Sequence, residues 1–215
     1  MSRSISRRRA LTIAVILAAT QATQASTAFA QTPREGLDYT TVKPVQRTTA
    51  PAGQVEVVEF FGYWCPACDV FEPSLHDWTV RNAARVKMVY VPMPTHFRAG
   101  EANLQKLYYA LDAMGIEAAL RPKVFAAIHV ARTLPDSADA GRIADWVATQ
   151  GVDRKVFVAT FDSFAVQSRV ARANQLAAAW NVTGTPSLGV AGRFLVPVDA
   201  KRLSLVDRFV AQAAA

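Results

Sequence analysis

Gln54 to Phe61 is an almost unbroken run of apolar, branched and aromatic side chains, the pattern of a strand covered on both faces. From Pro66 the period changes: Val70, Phe71, Leu75 and Trp78 recur at helical spacing and predict a helix over about 66–80, bent or divided by Pro73. Pro66 stands in the first turn, where a missing N–H is tolerated. Val86 to Val91 reads as a second buried strand ended by Pro92 and Pro94. Strand, helix, strand is a crossover unit, so the two strands are expected to run parallel with a right-handed connection.

Helical periods then dominate for about ninety residues. Leu104, Leu107, Tyr108 and Leu111 line one face. Pro122 is expected to open a helix presenting Val124, Phe125 and Ile128, and Asp136 or Ser137 to cap one presenting Ile143, Trp146 and Val147. Two further helices are expected over 153–159 and 162–180, the second capped by Asp162 with a stripe of Phe164, Val170, Ala173, Ala177 and Trp180. Strand character returns at Ser187–Val190 and Arg193–Val196, which Ala191 and Gly192 join as a hairpin. A last helix from Ala200 to about Ala211 turns Leu203, Val206 and Val210 inward. Ahead of the first strand, residues 31–52 contain Pro33, Pro44 and Pro51 and read as an extended lead-in without chemistry, with one edge strand over 39–43.

Residues 1–30 have the layout of a cleaved export signal: Arg3, Arg7, Arg8 and Arg9, an apolar stretch from Ala10 to Thr20, then Ala28-Phe29-Ala30 before Gln31. Ser6-Arg7-Arg8 brushes against a twin-arginine signal, but Ala10 stands where an aromatic residue is usual. No later segment approaches 18 uninterrupted apolar residues, so no stable membrane insertion is expected. The 24 basic and 17 acidic side chains give a formal charge of +7. Without the four leader arginines the chain keeps 20 basic residues and a charge near +3, so the high pI belongs mostly to the leader. No dense Lys/Arg cluster interleaved with aromatics remains to argue for nucleic acid.

Two cysteines occur in 215 residues, and they lie together as Trp64-Cys65-Pro66-Ala67-Cys68 where the first buried strand gives way to the first helix. A thiolate at a helix start is stabilised by unpaired backbone N–H groups and the positive end of the dipole, so Cys65 is expected to be acidic and Cys68, one turn inward, to resolve a mixed disulfide. A static disulfide and half of a zinc site are the alternatives; His76, His96 and His129 have no spacing that completes a set of four ligands. An oxidising compartment and a single, closely spaced pair favour exchange chemistry. Glu59 shares a strand face with Val55 and Val57, where a carboxylate is costly unless paired or protonated, whereas Glu56 is expected to be solvated. Phe61, Tyr63, Trp64 and the segment 93–97, with His96 and Phe97, are candidates for an apolar rim.

Together the Glu-Phe-Phe strand end, Cys-Pro-Ala-Cys, Phe71-Glu72-Pro73, the helical block and Thr185-Pro186 ahead of a hairpin resemble the thioredoxin fold, and within it the DsbA family of periplasmic thiol oxidases. The resemblance implies an α/β thioredoxin fold with an inserted all-helical subdomain: thioredoxin-like halves over 53–97 and 181–215, and the insertion over 98–180. It implies that Pro186 is cis and faces the cysteines, that the Thr185 backbone pairs with substrate, and that Glu59 is the buried glutamate serving Cys68. Ala67 replaces the family's common histidine, which predicts a less extreme oxidant. The implied partners are reduced exported polypeptides and a DsbB-like quinone-coupled membrane oxidase, for a monomer with no metal, nucleotide or flavin. A disulfide isomerase or reductase, a holdase with a structural disulfide, and a glutathione-dependent enzyme on the same scaffold remain as competing readings.

Overall fold

The computed structural model describes residues 32–94, 101–197 and 202–214, so the export signal, His96 and Phe97 lie outside the described residues. The strands are β1 (Thr40–Thr41), β2 (Val55–Phe61), β3 (Val86–Pro92), β4 (Ser187–Val190) and β5 (Phe194–Pro197), in one sheet of order β1-β5-β4-β2-β3. β2 and β3 are parallel, from Val55 opposite Val86 to Phe61 opposite Pro92, as a crossover requires. β2 pairs antiparallel with β4, and β4 with β5. The lead-in contributes β1, shorter than the 39–43 expected, antiparallel to β5. Gly192 makes this docking possible: at φ +70° a Cβ would meet the Gln46 carbonyl oxygen at 2.0 Å, and its own carbonyl accepts from Gln46 N–H at 2.8 Å.

β2 is buried along its whole length because both of its faces are covered. On one side Val55, Val57, Leu188 and Val190 pack with Phe71, Leu75 and Trp78 of α1 (Pro66–Asn82) and with Val206, Phe209 and Val210 of α7 (Leu203–Ala214). On the other, Val58, Phe60 and Phe61 meet the inserted helices α2 (Glu101–Ala113), α3 (Glu117–Phe125), α4 (Ala140–Thr149), α5 (Arg154–Phe161) and α6 (Phe164–Ala179). Gly189 lets the Trp180 ring lie against β4, since a Cβ there would come within 2.5 Å of it. This is the thioredoxin-like α/β core with an all-helical insertion that the sequence predicts.

Several local expectations are corrected. α1 is continuous to Asn82 with Pro73 inside it, and Val70 is 80 % exposed. Pro122 lies within α3, which continues as a π-helical turn over Ala126–Val130. Asp139, not Asp136 or Ser137, caps α4. Ser163 caps α6, because Asp162 already ends α5, and Phe164 is therefore thrown outward, 84 % exposed. Glu56 is buried: its Oε2 accepts from both the backbone N–H and the hydroxyl of Thr49 at 2.6 Å, a partner supplied by the lead-in and invisible in the strand pattern.

Candidate active site

The turn between β2 and α1 presents Cys65 as the N-cap of α1, with φ −86° and ψ 112°. Its own N–H donates to the Gly62 carbonyl at 3.0 Å, and its Sγ accepts from the Cys68 N–H at 3.3 Å, one of the donors a helix start leaves unpaired. Both thiols are free and buried, while Pro66 and Ala67 between them are exposed. The hydrogen bond from the Cys68 thiol, with further donors at Thr185, Cys68 and Ala67, outweighs burial and brings the Cys65 thiol down to about 6. Cys68 moves the opposite way: burial, the Cys65 sulfur and the charge of Glu59 push it far above the usual thiol range.

Across the sequence, the Thr185–Pro186 bond is cis, and the Thr185 carbonyl lies 3.5 Å from Cys65 Sγ. The same loop borders a pocket of about 660 Å³ whose far wall includes Thr41, Val42, Leu195 and Arg202. The lead-in, read as chemically silent, thus forms part of the relief beside the cis-proline loop. Trp64 is half-buried and donates from Nε1 to the Met93 carbonyl at 3.0 Å; Gly62 has no side chain because a Cβ would meet that indole nitrogen at 2.3 Å.

Tyr63 is a correction. Expected at the rim, it is 1 % exposed, its ring edge-on to Phe61 and Phe125 and its hydroxyl donating to Glu117 Oε1 at 2.6 Å. It belongs to a buried polar cluster under the cysteines. Glu59 is fully buried there and accepts through Oε2 from Arg121 Nη2 at 2.8 Å. Arg121 also donates from Nε to Glu72 Oε1 at 2.8 Å and from Nη1 to Glu117 Oε1 at 3.3 Å, while its guanidinium lies 4.1 Å from the ring centres of Phe61 and Tyr90. Burial, only partly offset by Arg121, raises Glu59 to about 8. Sequence reasoning found Glu59 but not Arg121, Glu117 or His129, whose Nε2 sits 2.8 Å from the Tyr63 carbonyl. The i, i+4 spacing of Glu117 and Arg121 was the available signal, but it reads equally as an ordinary surface pair.

A strand-to-helix dithiol with one acidic and one strongly suppressed thiol, beside a cis-proline loop, defines a thioredoxin-fold thiol:disulfide oxidoreductase. Residues 93–210 match the family model described as DSBA-like thioredoxin domain. The chain is 41 % identical over 204 residues to the thiol:disulfide interchange protein DsbA of Bordetella parapertussis, covering 91 % of this chain and 95 % of that one. It is 37 % identical to the Burkholderia cepacia protein of the same name, over 75 % and 74 % of the two chains. The crystal structure of the oxidoreductase DsbA from Xylella fastidiosa superposes with a TM-score of 0.76 at 34 % identity, over 84 % of this chain and 97 % of that one. The protein belongs to the DsbA family, and it is a protein dithiol oxidase.

Proposed function

We propose that this oxidase works in the periplasm as a monomer, that its clients are reduced exported polypeptides, and that Cys65 is the thiol they meet. A client thiolate attacks Cys65 Sγ, the Cys65–Cys68 bond breaks, and its electron pair stays on Cys68, which takes a proton from Glu59. A second client thiolate then attacks the client sulfur of the mixed disulfide, forming the client disulfide and releasing Cys65 as thiolate. Two electrons have passed to the enzyme, and a DsbB-like quinone-coupled membrane oxidase removes them, again through Cys65.

The observation that carries this reading is the opposed displacement of the two thiols. A leaving thiolate at Cys65 that is stable near pH 6 makes the enzyme's disulfide labile and its direction oxidising. Around Cys65, the exposed Pro66, Ala67 and Val70 with the half-buried Trp64 offer apolar contact to the neighbours of a client cysteine, and the Thr185 carbonyl offers an acceptor to its extended backbone.

The test is Cys68→Ser. Without the resolving thiol, Cys65 is expected to accumulate mixed disulfides with exported proteins, recovered and located by peptide mass. Client adducts on Ser-substituted protein at no cysteine, or equal trapping by Cys65→Ser, would overturn the assignment of roles.

A further inference from the structure

The dithiol is entered through a β-turn. The Cys65 N–H donates to the Gly62 carbonyl at 3.0 Å, so Tyr63 and Trp64 are the two central residues of the turn. Turn types I and II differ by a rotation of the peptide between those two residues, which swings its carbonyl while the ends stay joined. A full flip needs a positive φ at Trp64, which this residue does not have; smaller rotations stay open to it. The inserted helices hold Tyr63 at both of its polar groups. The hydroxyl donates to Glu117 Oε1 of α3 at 2.6 Å, and the carbonyl, part of the central peptide, lies 2.8 Å from His129 Nε2. A carbonyl only accepts, so Nε2 carries the hydrogen and donates it. Tyr63 is so deeply buried that this carbonyl is out of reach of bulk water and costly to leave unpaired.

His129 reaches that carbonyl from a helix that changes its pitch. After Phe125, α3 widens into the π-helical turn Ala126–Val130, closed by the Ala131 N–H donating to the Ala126 carbonyl at 2.8 Å, and a widened turn shifts the side chains around the axis. The imidazole stacks on Phe125, with ring centres 6.1 Å apart and planes at 27°, while Phe125 meets the Tyr63 ring edge-on at 5.1 Å. One phenyl ring thus orients both the donor and the residue that accepts from it. Trp64, the other central residue, is tied separately through Nε1 to the Met93 carbonyl at 3.0 Å.

We propose that His129 is a positioning residue of the dithiol: its Nε2 hydrogen bond to the Tyr63 carbonyl fixes the tilt of the turn's central peptide, and with it the direction in which Cys65 Sγ faces the Cys68 N–H and an incoming client thiolate. This rests on Cys65 being the sulfur that clients attack. Cys65 follows Trp64 directly, and its sulfur is held 3.3 Å from the Cys68 nitrogen and 3.5 Å from the Thr185 carbonyl, contacts that a rotation at Trp64 would spoil. Attack on a disulfide likewise depends on the sulfurs being aligned, so a small misplacement is costly in rate. The inserted subdomain is then a mould for the active-site turn as well as a cover for the sheet.

Two substitutions separate the donor from the bulk of the ring. His129→Gln can place an amide N–H where Nε2 stands, whereas His129→Leu fills the space without a donor. The readouts are thiolate absorbance of the reduced protein across pH, and the rate at which a cysteine peptide opens the Cys65–Cys68 disulfide of the oxidised protein, quenched in acid and read by mass. In His129→Leu the Cys65 thiol is expected to move up by about half a unit, roughly threefold less thiolate below its midpoint. Disulfide opening should slow by about tenfold, and His129→Gln should restore it to within about twofold of the unsubstituted protein. A residue that only supports the fold would lower the unfolding stability of His129→Leu and leave thiol acidity and rate where they were. Unchanged acidity and rate in folded His129→Leu, or equal losses in His129→Leu and His129→Gln, overturn the proposal.

Where His129→Leu does not fold, nitrogen NMR of the imidazole in the unsubstituted protein carries the test. The neutral ring must hold its hydrogen on Nε2 in both redox states, exchanging slowly with solvent; a hydrogen on Nδ1 instead overturns the proposal. Peptide adducts at Cys65 together with unmoved acidity and rate defeat only the role of His129, whereas absence of adducts at Cys65 defeats the underlying reading of the site.

Discussion

Cys65 and Cys68 are three residues apart on one helical turn, yet their surroundings have opposite effects. At Cys65 the start of α1 supplies donors and the neighbouring Pro66 and Ala67 are open to solvent; at Cys68 there is burial, a facing carboxyl and the charge cluster of Arg121 beneath. The first surrounding stabilises a negative sulfur, the second penalises one. An oxidising disulfide needs both, because the thiolate that leaves toward the client and the thiol that stays behind must differ in proton affinity. The difference also predicts where folding stability is most sensitive: substitutions in the buried charge cluster move it by the largest amounts, in either direction, and substitutions on the open side move it least.

The largest effect is expected from Arg121→Met. It leaves three buried carboxyl groups without their cation and should destabilise oxidised and reduced protein alike by about 3–5 kcal/mol in urea unfolding; a loss confined to one redox state would break the comparison. Glu59→Gln is expected to act the other way. With its folded value raised to about 8, Glu59 keeps a proton that the unfolded chain releases near pH 4, so stability falls as pH rises between those limits. The substitution should therefore stabilise by on the order of 2 kcal/mol at pH 8, and the gain should fade as pH drops toward 4, which thermal unfolding across pH measures.

On the open side, the reduced protein gains stability from the Cys65 thiolate. Because the folded value, about 6, lies below that of an unfolded thiol, the gain is complete above about pH 9 and is lost as pH falls through 6. The excess stability of reduced over oxidised protein should shrink accordingly; an excess that is flat from pH 9 to 5 would contradict the Cys65 environment. The smallest effect is expected from Ala67→His. An imidazole between the cysteines adds a donor beside the thiolate and should lower Cys65 by about half a unit to one unit, read from thiolate absorbance, while changing unfolding free energy by less than about 0.5 kcal/mol.

The sheet, the crossover and the dithiol were legible because each is written locally: β2 as an apolar run covered on both faces, α1 as a period that starts at a tolerated proline, the cysteines as adjacent residues. The buried charges were only half legible. Glu59 announced itself as a carboxylate on an apolar face, but its partner Arg121 stands 62 positions away on another element, and no pattern pairs the two before the chain folds. Tyr63 was misplaced for the same reason: an aromatic residue next to a site reads as a rim until its hydroxyl is found bonded to Glu117. Glu56 likewise needed the lead-in at Thr49 to take it out of water. Helix caps failed by one to three residues where Ser and Asp compete, as at Asp162 and Ser163, and that error carried Phe164 from core to surface.

The most direct test of the central claim is the redox equilibrium of the mature protein in glutathione buffers, with Cys65 alkylation read by mass. The opposed environments of the two thiols predict a potential above roughly −200 mV and rapid modification confined to Cys65. A value below about −300 mV, or a pair of equally unreactive cysteines, would contradict it and mark the disulfide as a reductant's or a structural staple.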